Sequence, residues 1–133
     1  MKEQVNFKKM CQINKFWIEY LHSIVKEEEF VEPKIYNLYQ KILKLELFGC
    51  YLTVTRSKCI HFVLIKGFVC CESSQMLSLI DEDEKIRYIP KKGSIFSFEI
   101  HGHMINLIGD QMIGNTFRRL KSKLKPPSTF VQI

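Results

Sequence analysis

The sequence predicts a mainly β protein with flanking helices: two N-terminal helices, a small antiparallel β-barrel and a short basic C-terminal helix. Two observations lead to this prediction. In the first third of the chain, apolar residues recur at the spacing of an amphipathic helix, whereas from Gly49 onward they alternate with polar residues in short runs. We therefore divide the chain into a helical segment, residues 1–47, and a barrel with a basic tail, residues 48–133.

The N-terminal segment contains two apolar stripes with helical spacing. The first stripe consists of Ile13, Phe16, Trp17, Tyr20, Leu21, Ile24 and Val25. An acidic link follows, and Pro33 is then predicted to lie in the first turn of a second helix, where proline is tolerated. The second stripe consists of Ile35, Leu38, Tyr39 and Ile42. Such stripes are typical of a protein core or of a partner interface.

Runs with a period of two residues predict strands near residues 50–56, 62–72, 75–81, 85–89, 94–100 and 103–109. His101-Gly102 separates the last two runs and predicts a tight hairpin turn. Many short strands in a small segment favour a strongly bent barrel, because closure removes exposed sheet edges. Thr116 to Leu124 then predicts a short basic helix, which Pro126-Pro127 ends.

The composition excludes several classes of protein. A chain of 133 residues has room for one domain, and 46% hydrophobic with 26% charged residues excludes a disordered chain. No apolar run is long enough for a bilayer span or a signal peptide, so we expect an intracellular protein. An odd number of cysteines without a C-x-x-C pair predicts buried free thiols at Cys11, Cys50, Cys59, Cys70 and Cys71.

The net charge of +6 is concentrated near the C-terminus. Residues 115–133 contain no Asp or Glu, and their basic residues are Arg118, Arg119, Lys121, Lys123 and Lys125. Because cations release the counterions condensed on nucleic acid, this tail indicates either a phosphate-rich partner or only a solvated terminus. Loops at one end of a small barrel often converge, so the predicted phosphate contacts also include Arg56, Lys58, Lys91 and Lys92.

The sequence contains no recognisable catalytic constellation. Phosphate-loop, dinucleotide-binding, zinc-protease and nucleophile-elbow motifs are absent. His101 and His103 lack a second ligand pair for a metal ion, and Cys59 and His61 lack an orienting third group. Residues 81–84 are four consecutive acids and predict a solvated loop. We therefore expect a binding protein with no metal or cofactor of its own.

Several segments, in this order, resemble those of one family. They are Leu-Thr-Val-Thr-Arg-Ser-Lys-Cys at 52–59, Lys-Gly-Phe-Val at 66–69 with Glu72, Tyr-Ile-Pro-Lys-Lys-Gly-Ser-Ile-Phe-Ser-Phe-Glu-Ile at 88–100, and Leu-Ile-Gly-Asp-Gln at 107–111. They are similar to the barrel protein subunit of eukaryotic and archaeal ribonuclease P, which is shared with ribonuclease MRP. The resemblance extends over residues 47–125.

The resemblance implies an Sm-like barrel and a non-catalytic RNA-binding subunit. The resemblance implies that the subunit belongs to ribonuclease P, which removes the 5′ leader of precursor tRNA, and also to ribonuclease MRP, which processes rRNA. It also implies that Mg²⁺ is bound at the RNA and that none is bound by this chain. The implied partners are the catalytic RNA, a zinc-ribbon subunit and other ribonuclease P proteins in the nucleus and nucleolus, without a membrane. By analogy, the partner-binding residues are Trp17, Tyr20, Leu21, Tyr39 and Ile42. Packing against the barrel's own core explains these residues equally well.

The chain also departs from the family pattern. Residues 60–65 are more apolar than the usual loop, Ser73-Ser74 replaces a common Thr-Lys, and residues 1–12 contain only Lys2, Lys8 and Lys9 as cations. The alternative function is a small-barrel protein–protein interaction module that binds no RNA.

Overall fold

A computed structural model describes residues 6–114 and 130–132 of the chain. Its helices are α1 (Phe7–Ile24) and α2 (Ile35–Leu43). Its strands are β1 (Tyr51–Arg56), β2 (Lys66–Glu72), β3 (Met76–Ile80), β4 (Ile86–Pro90), β5 (Ile95–Ile100), β6 (His103–Ile108) and β7 (Val131–Gln132). The two predicted helices and six predicted strands are confirmed in order, whereas β7 was not predicted. The predicted C-terminal helix, 116–124, lies outside the described residues.

The element boundaries differ from the prediction where local chemistry intervenes. Asn6 begins α1 early, because its side-chain oxygen accepts a 2.8 Å hydrogen bond from the Lys9 N–H. Pro33 precedes α2 instead of lying in its first turn. The predicted strand over 62–72 is wrong for its first residues, because Leu64 has φ +74°, which interrupts an extended strand. In the described part of the chain, neither helix is long and apolar enough to cross a membrane.

The strands form one antiparallel sheet with the order β4-β3-β2-β1-β5-β6-β7. The central strand β1 pairs with β2 and β5, so that Thr53 lies opposite both Lys66 and Ser97. Register shifts in β1 and β2 bend these strands further. The predicted hairpin between β5 and β6 is confirmed, with His101 at φ +53° and Gly102 at φ +80°. The short connection 91–94 joins β4 to β5 although three strands separate them, so the sheet is strongly curved.

The larger of two hydrophobic clusters in the described part of the chain packs both helices against the sheet. Trp17 packs edge-on against Phe98 with 5.7 Å between ring centroids, and its Nε1–H donates a 2.7 Å hydrogen bond to the Glu46 carbonyl oxygen. The same core contains Leu21, Leu38, Tyr39, Ile42, Val54, Leu77, Ile89, Ile105 and Phe130. The predicted apolar stripes therefore pack largely within the protein. The domain division at residue 47 stays a prediction.

The free cysteines are less buried than the sequence predicts. Cys50 is buried, and this burial raises the pKa of its thiol. Cys11 and Cys70 are half-buried, whereas Cys59 and Cys71 are exposed. The prediction of buried thiols is therefore wrong for the last two, because Cys59 lies in a loop and Cys71 follows the register shift in β2.

The hydroxyl of Tyr39 offers a direct test of this core. It is buried and has no hydrogen-bond partner within the described residues, and burial raises the pKa of Tyr39 from 10.0 to about 12. We expect Tyr39→Phe to raise the free energy of unfolding by about 1 kcal/mol at neutral pH, because it removes an unsatisfied buried group. Between pH 10 and 12 the parent should lose stability, since its unfolded phenol ionises first, and the variant should lose less. Urea denaturation of parent and variant, at neutral pH and between pH 10 and 12, measures these changes in the free energy of unfolding. A variant less stable than the parent at neutral pH would contradict the prediction.

Candidate nucleic-acid interface

The loops after β1 and β4 lie directly against each other. A Cβ at Gly93 would lie only 2.7 Å from Lys58 Cγ, so the aliphatic stem of Lys58 packs on Gly93. Gly93 has φ +78°, and its N–H donates a 2.8 Å hydrogen bond to Asp110 Oδ1. The turn between β4 and β5 is therefore held between the loop after β1 and the segment after β6.

This packing brings three predicted phosphate contacts to one end of the sheet. Arg56 is the last residue of β1 and lies opposite Ile95, the first residue of β5. Arg56, Lys58 and Lys92 are exposed. The expected convergence of loops is therefore present for these three cations, while their contact with RNA stays a prediction.

Lys91 has a different role from the predicted one. Its side chain is fully buried. Its Nζ atom donates a 2.9 Å hydrogen bond to Glu72 Oε2 and two further hydrogen bonds to backbone carbonyl oxygens, 2.7 Å to that of Ser73 and 3.0 Å to that of Met112. A charge is tolerated in such a place only when it is paired and hydrogen-bonded. The structure thus gives no support to a phosphate contact by Lys91, because its ammonium group ties three chain segments together inside the protein.

The segment after β6 packs closely on the same turn. The Gly109 N–H donates a 2.7 Å hydrogen bond to the Ser94 oxygen, and a Cβ at Gly109 would lie 1.8 Å from the Lys91 oxygen. Further along the chain, the Gly114 N–H donates a 2.8 Å hydrogen bond to the Ser74 carbonyl oxygen. The predicted basic tail residues follow from this point but lie outside the described residues: Arg118, Arg119, Lys121, Lys123 and Lys125.

Charge is separated along β1. Residues 52–71 contain no Asp or Glu. At the other end of the strand, the pKa of Tyr51 is raised by burial and by the nearby carboxylates of Glu82 and Asp81. The acidic loop is largely exposed, as predicted. Tyr51 and Arg56 are the first and last residues of β1, so about 17 Å of strand separates the acidic from the basic end.

The histidines that resembled a metal-binding pair are engaged in packing. The His101 Nε2 atom lies 3.1 Å from the Val25 oxygen, and the His103 ring stacks on Phe30 with 4.2 Å between centroids. In residues 6–114 and 130–132, no three His, Cys, Asp or Glu residues form a group that could hold a metal ion.

Comparison with known proteins identifies the family to which these loops belong. The sequence model of the family "Ribonuclease P/MRP, subunit p29" matches residues 40–122, which include β1 to β6 and the three exposed cations. The chain belongs to this family.

Relatives of the p29-family chain come from eukaryotes and archaea. "Ribonuclease P protein subunit p29" of Pongo abelii is 25% identical over 128 residues, which are 96% of this chain and 57% of that protein. "Ribonuclease MRP protein subunit POP4" of Arabidopsis thaliana is 31% identical over 97 residues, 73% of this chain and 31% of that protein. "Ribonuclease P protein component 1" of Methanocaldococcus jannaschii is 33% identical over 84 residues, 63% of this chain and 88% of that protein. The chain thus spans little more than half the length of the mammalian relative.

The residues predicted to bind a partner of the p29-family chain divide into two groups. The buried group has exposed fractions of 6% or less and fills the core: Trp17, Leu21, Tyr39 and Ile42. The structure gives no support to a partner contact by these four, because they contact the protein's own sheet and helices. Tyr20 is 36% exposed, and for it a partner contact stays a prediction.

Two exposed aromatic residues beside Tyr20 were not among the predicted partner-binding residues. Phe16 is 72% exposed and Phe48 is 42% exposed, and with Ile13 and Tyr20 they line a shallow groove of about 280 Å³. We call these four residues the α1 patch. The available signal for Phe16 was the width of the first apolar stripe, which is too wide for all of its members to face the sheet, whereas Phe48 lies outside that stripe.

Proposed function

We propose that this chain is a non-catalytic RNA-binding protein subunit of the ribonuclease P ribonucleoprotein, which removes the 5′ leader of precursor tRNA. We propose also that ribonuclease MRP, which processes rRNA, shares the subunit. The observation that carries the proposal is the family match over residues 40–122. This range contains the loops that bring Arg56, Lys58 and Lys92 together, and clustered cations of this kind bind phosphate backbones.

Catalysis in this proposal belongs to the RNA, with Mg²⁺ bound there and not by this chain. His101 and His103 have contacts within the fold, because His101 contacts the Val25 carbonyl oxygen and His103 stacks on Phe30. The protein then contributes binding and positioning of the RNA, which phosphate contacts supply without a catalytic group.

The curved sheet supports an Sm-like barrel. In a flat sheet, the four steps from β4 to β5 would extend about 19 Å. Residues 91–94 nevertheless join the two strands in a tight turn. In this turn the Ser94 N–H donates a 3.2 Å hydrogen bond to the Lys91 carbonyl oxygen. Leu77 and Ile89 at one end of the strand order share a core with Ile105 and Leu107 at the other. Such packing fits a sheet that curls towards closure.

A second surface supports protein partners in the same particle. The α1 patch exposes Phe16 and Tyr20 on a helix whose other side fills the core. Aromatic residues of this kind are enriched at protein interfaces. We propose this patch as the contact for a zinc-ribbon protein subunit, with other ribonuclease P proteins nearby. We propose a location in the nucleus and nucleolus, and the supporting observation is that eukaryotic ribonuclease P and MRP subunits are among the relatives.

Purification of the tagged 133-residue chain from its own cells, followed by sequencing of the bound RNA, tests the proposed function. We expect enrichment of one structured RNA and leader-cleaving activity on precursor tRNA in the same fraction. Protein partners without RNA above background would contradict the proposal and favour the interaction module, for which the exposed α1 patch is the supporting observation.

The contribution of the basic tail to RNA binding is best measured by titrating RNA at several salt concentrations, without shortening the chain. Phe130 is 2% exposed and lies in the core, so a cut after Gly114 would also remove core packing. A variant with glutamine at each of the five tail cations is therefore the matched comparison. Each lost phosphate contact should reduce the slope of log affinity against log salt by about 0.7 to 0.9.

A further inference from the structure

The loop between β1 and β2, residues 57–65, exposes two large aliphatic side chains. Ile60 is 78% exposed and Leu64 is 72% exposed. Ile60 begins a short helical turn within this loop, Ile60–Phe62, and Leu64 lies two residues after the turn. Two bulky apolar groups on one short loop favour a contact that covers them, since their burial is favourable.

The backbone at Leu64 indicates that its side chain has a purpose outside the fold. Leu64 has φ +74°, a conformation that suits glycine and that is costly for a leucine. Two backbone hydrogen bonds hold it there. The Leu64 N–H donates a 2.7 Å hydrogen bond to the Val54 carbonyl oxygen, and the Val54 N–H donates a 2.8 Å hydrogen bond to the Ile65 carbonyl oxygen. If the loop needed only this turn, glycine would be the better residue. An exposed leucine at a strained position points to a function of the side chain.

The surroundings of the two residues are cationic. Arg56 and Lys58 precede Ile60 in the chain, and the stem of Lys58 contacts Gly93, which follows Lys92. The nearby Asp110 carboxylate accepts a hydrogen bond from the Gly93 N–H. Residues 52–71 contain no carboxylate. Exposed apolar side chains on a loop that begins beside a cluster of cations match nucleic acid, whose base faces are apolar and whose phosphates are anionic.

We propose that Ile60 and Leu64 form an apolar wedge that packs against unpaired bases of RNA, while Arg56, Lys58 and Lys92 bind the flanking phosphates. Proteins read RNA mainly where bases are unstacked, and apolar side chains are known to insert between base steps. The inference rests on the proposed RNA-binding function and deepens it, because it names unpaired nucleotides as the structure that this loop recognises.

Titration of the full chain against two RNA probes tests the wedge. One probe is a fluorescein-labelled hairpin with an unpaired internal loop that carries 2-aminopurine, and the other is the same hairpin with the loop paired. We expect tighter binding of the unpaired probe and a change in 2-aminopurine fluorescence on binding. Replacing Ile60 and Leu64 with serine should weaken binding of that probe about tenfold and abolish the fluorescence change. The salt slope should stay the same, because no cation is lost.

Three variants separate the wedge from general effects. Leu64→Gly should raise the urea midpoint, because it relieves the backbone strain, and yet weaken binding of the unpaired probe. Val31→Ser alters an aliphatic residue that is 54% exposed in the link between the helices, and it should bind both probes as the parent does. A variant with glutamine at Arg56 and Lys58 should show a lower salt slope but keep the fluorescence change at saturation.

The outcomes distinguish the wedge from the proposed function. Equal binding of the unpaired probe by the parent and the serine variant would overturn the wedge, even if RNA co-purifies with the protein. If the serine variant instead loses a protein subunit from the purified particle while its RNA titrations are unchanged, the loop binds protein, and this result would also overturn the wedge. If the parent binds neither probe, the wedge is wrong. The proposed function then stands or falls on the RNA recovered from cells.

Discussion

Alanine in place of Gly109 is expected to cost more than about 4 kcal/mol of unfolding free energy, or to abolish the cooperative unfolding transition. The new Cβ would lie 1.8 Å from the Lys91 oxygen and 2.7 Å from the Ser94 oxygen. Both are backbone atoms, so no rotamer change can relieve the clash. The turn between β4 and β5 would have to separate from the end of β6 and lose the hydrogen bond from Gly109 to Ser94.

Gly102→Ala is the matched control for this substitution. Gly102 has φ +80°, and a Cβ there would meet nothing within 4 Å. It should therefore cost only the backbone strain, about 1 kcal/mol. Urea denaturation followed by circular dichroism compares the two variants. If the two lose equal stability, the close packing of Gly109 on the β4–β5 turn is not what holds this region together.

Lys91→Met is expected to lower the free energy of unfolding by about 3 to 5 kcal/mol, because it removes a buried ammonium group that pairs with the Glu72 carboxylate and donates to two carbonyl oxygens. The ammonium group donates to Glu72 and to the oxygens of Ser73 and Met112. Methionine fills similar space but donates no hydrogen bond, so the loss reports the polar contacts more than the volume.

The neighbouring residue supplies the comparison for Lys91. Lys92 is exposed, so Lys92→Met should change stability by less than about 0.5 kcal/mol. Both variants lose one positive charge, and the overall charge is therefore not the difference between them. Similar chemical denaturation curves for the two would contradict the structural role of Lys91.

Local patterns predicted the elements well because they depend on spacing along the chain. The stripe of α1 and the alternation in β5 both follow from residues that face one common core. The same local view failed for residues 62–65, where an apolar run suggested a strand. The decisive feature there is the positive φ of Leu64, which no hydrophobic pattern encodes.

The candidate interface was predictable only in part, since it depends on contacts between distant segments. Lys91 and Lys92 are adjacent cations in one turn, yet one is buried and the other exposed. The burial of Lys91 requires Glu72 and Met112, about twenty residues away on either side, and sequence spacing does not reveal such a meeting. Strand β7 is likewise too short to show a period, although Phe130 before it lies in the core.

The separation of charge along β1 gives the two ends of this strand electrostatic potentials of opposite sign. Near a polyanion, the acidic loop around Glu82 is repelled and the end that carries Arg56 and Lys58 is attracted, so these charges favour an approach with the Arg56 end first. Collisions in the wrong orientation are thereby disfavoured, and the productive encounter becomes faster, most strongly at low ionic strength. The placement of the charges, and not only the net charge of +6, thus favours one face of the protein for contact with a polyanionic partner.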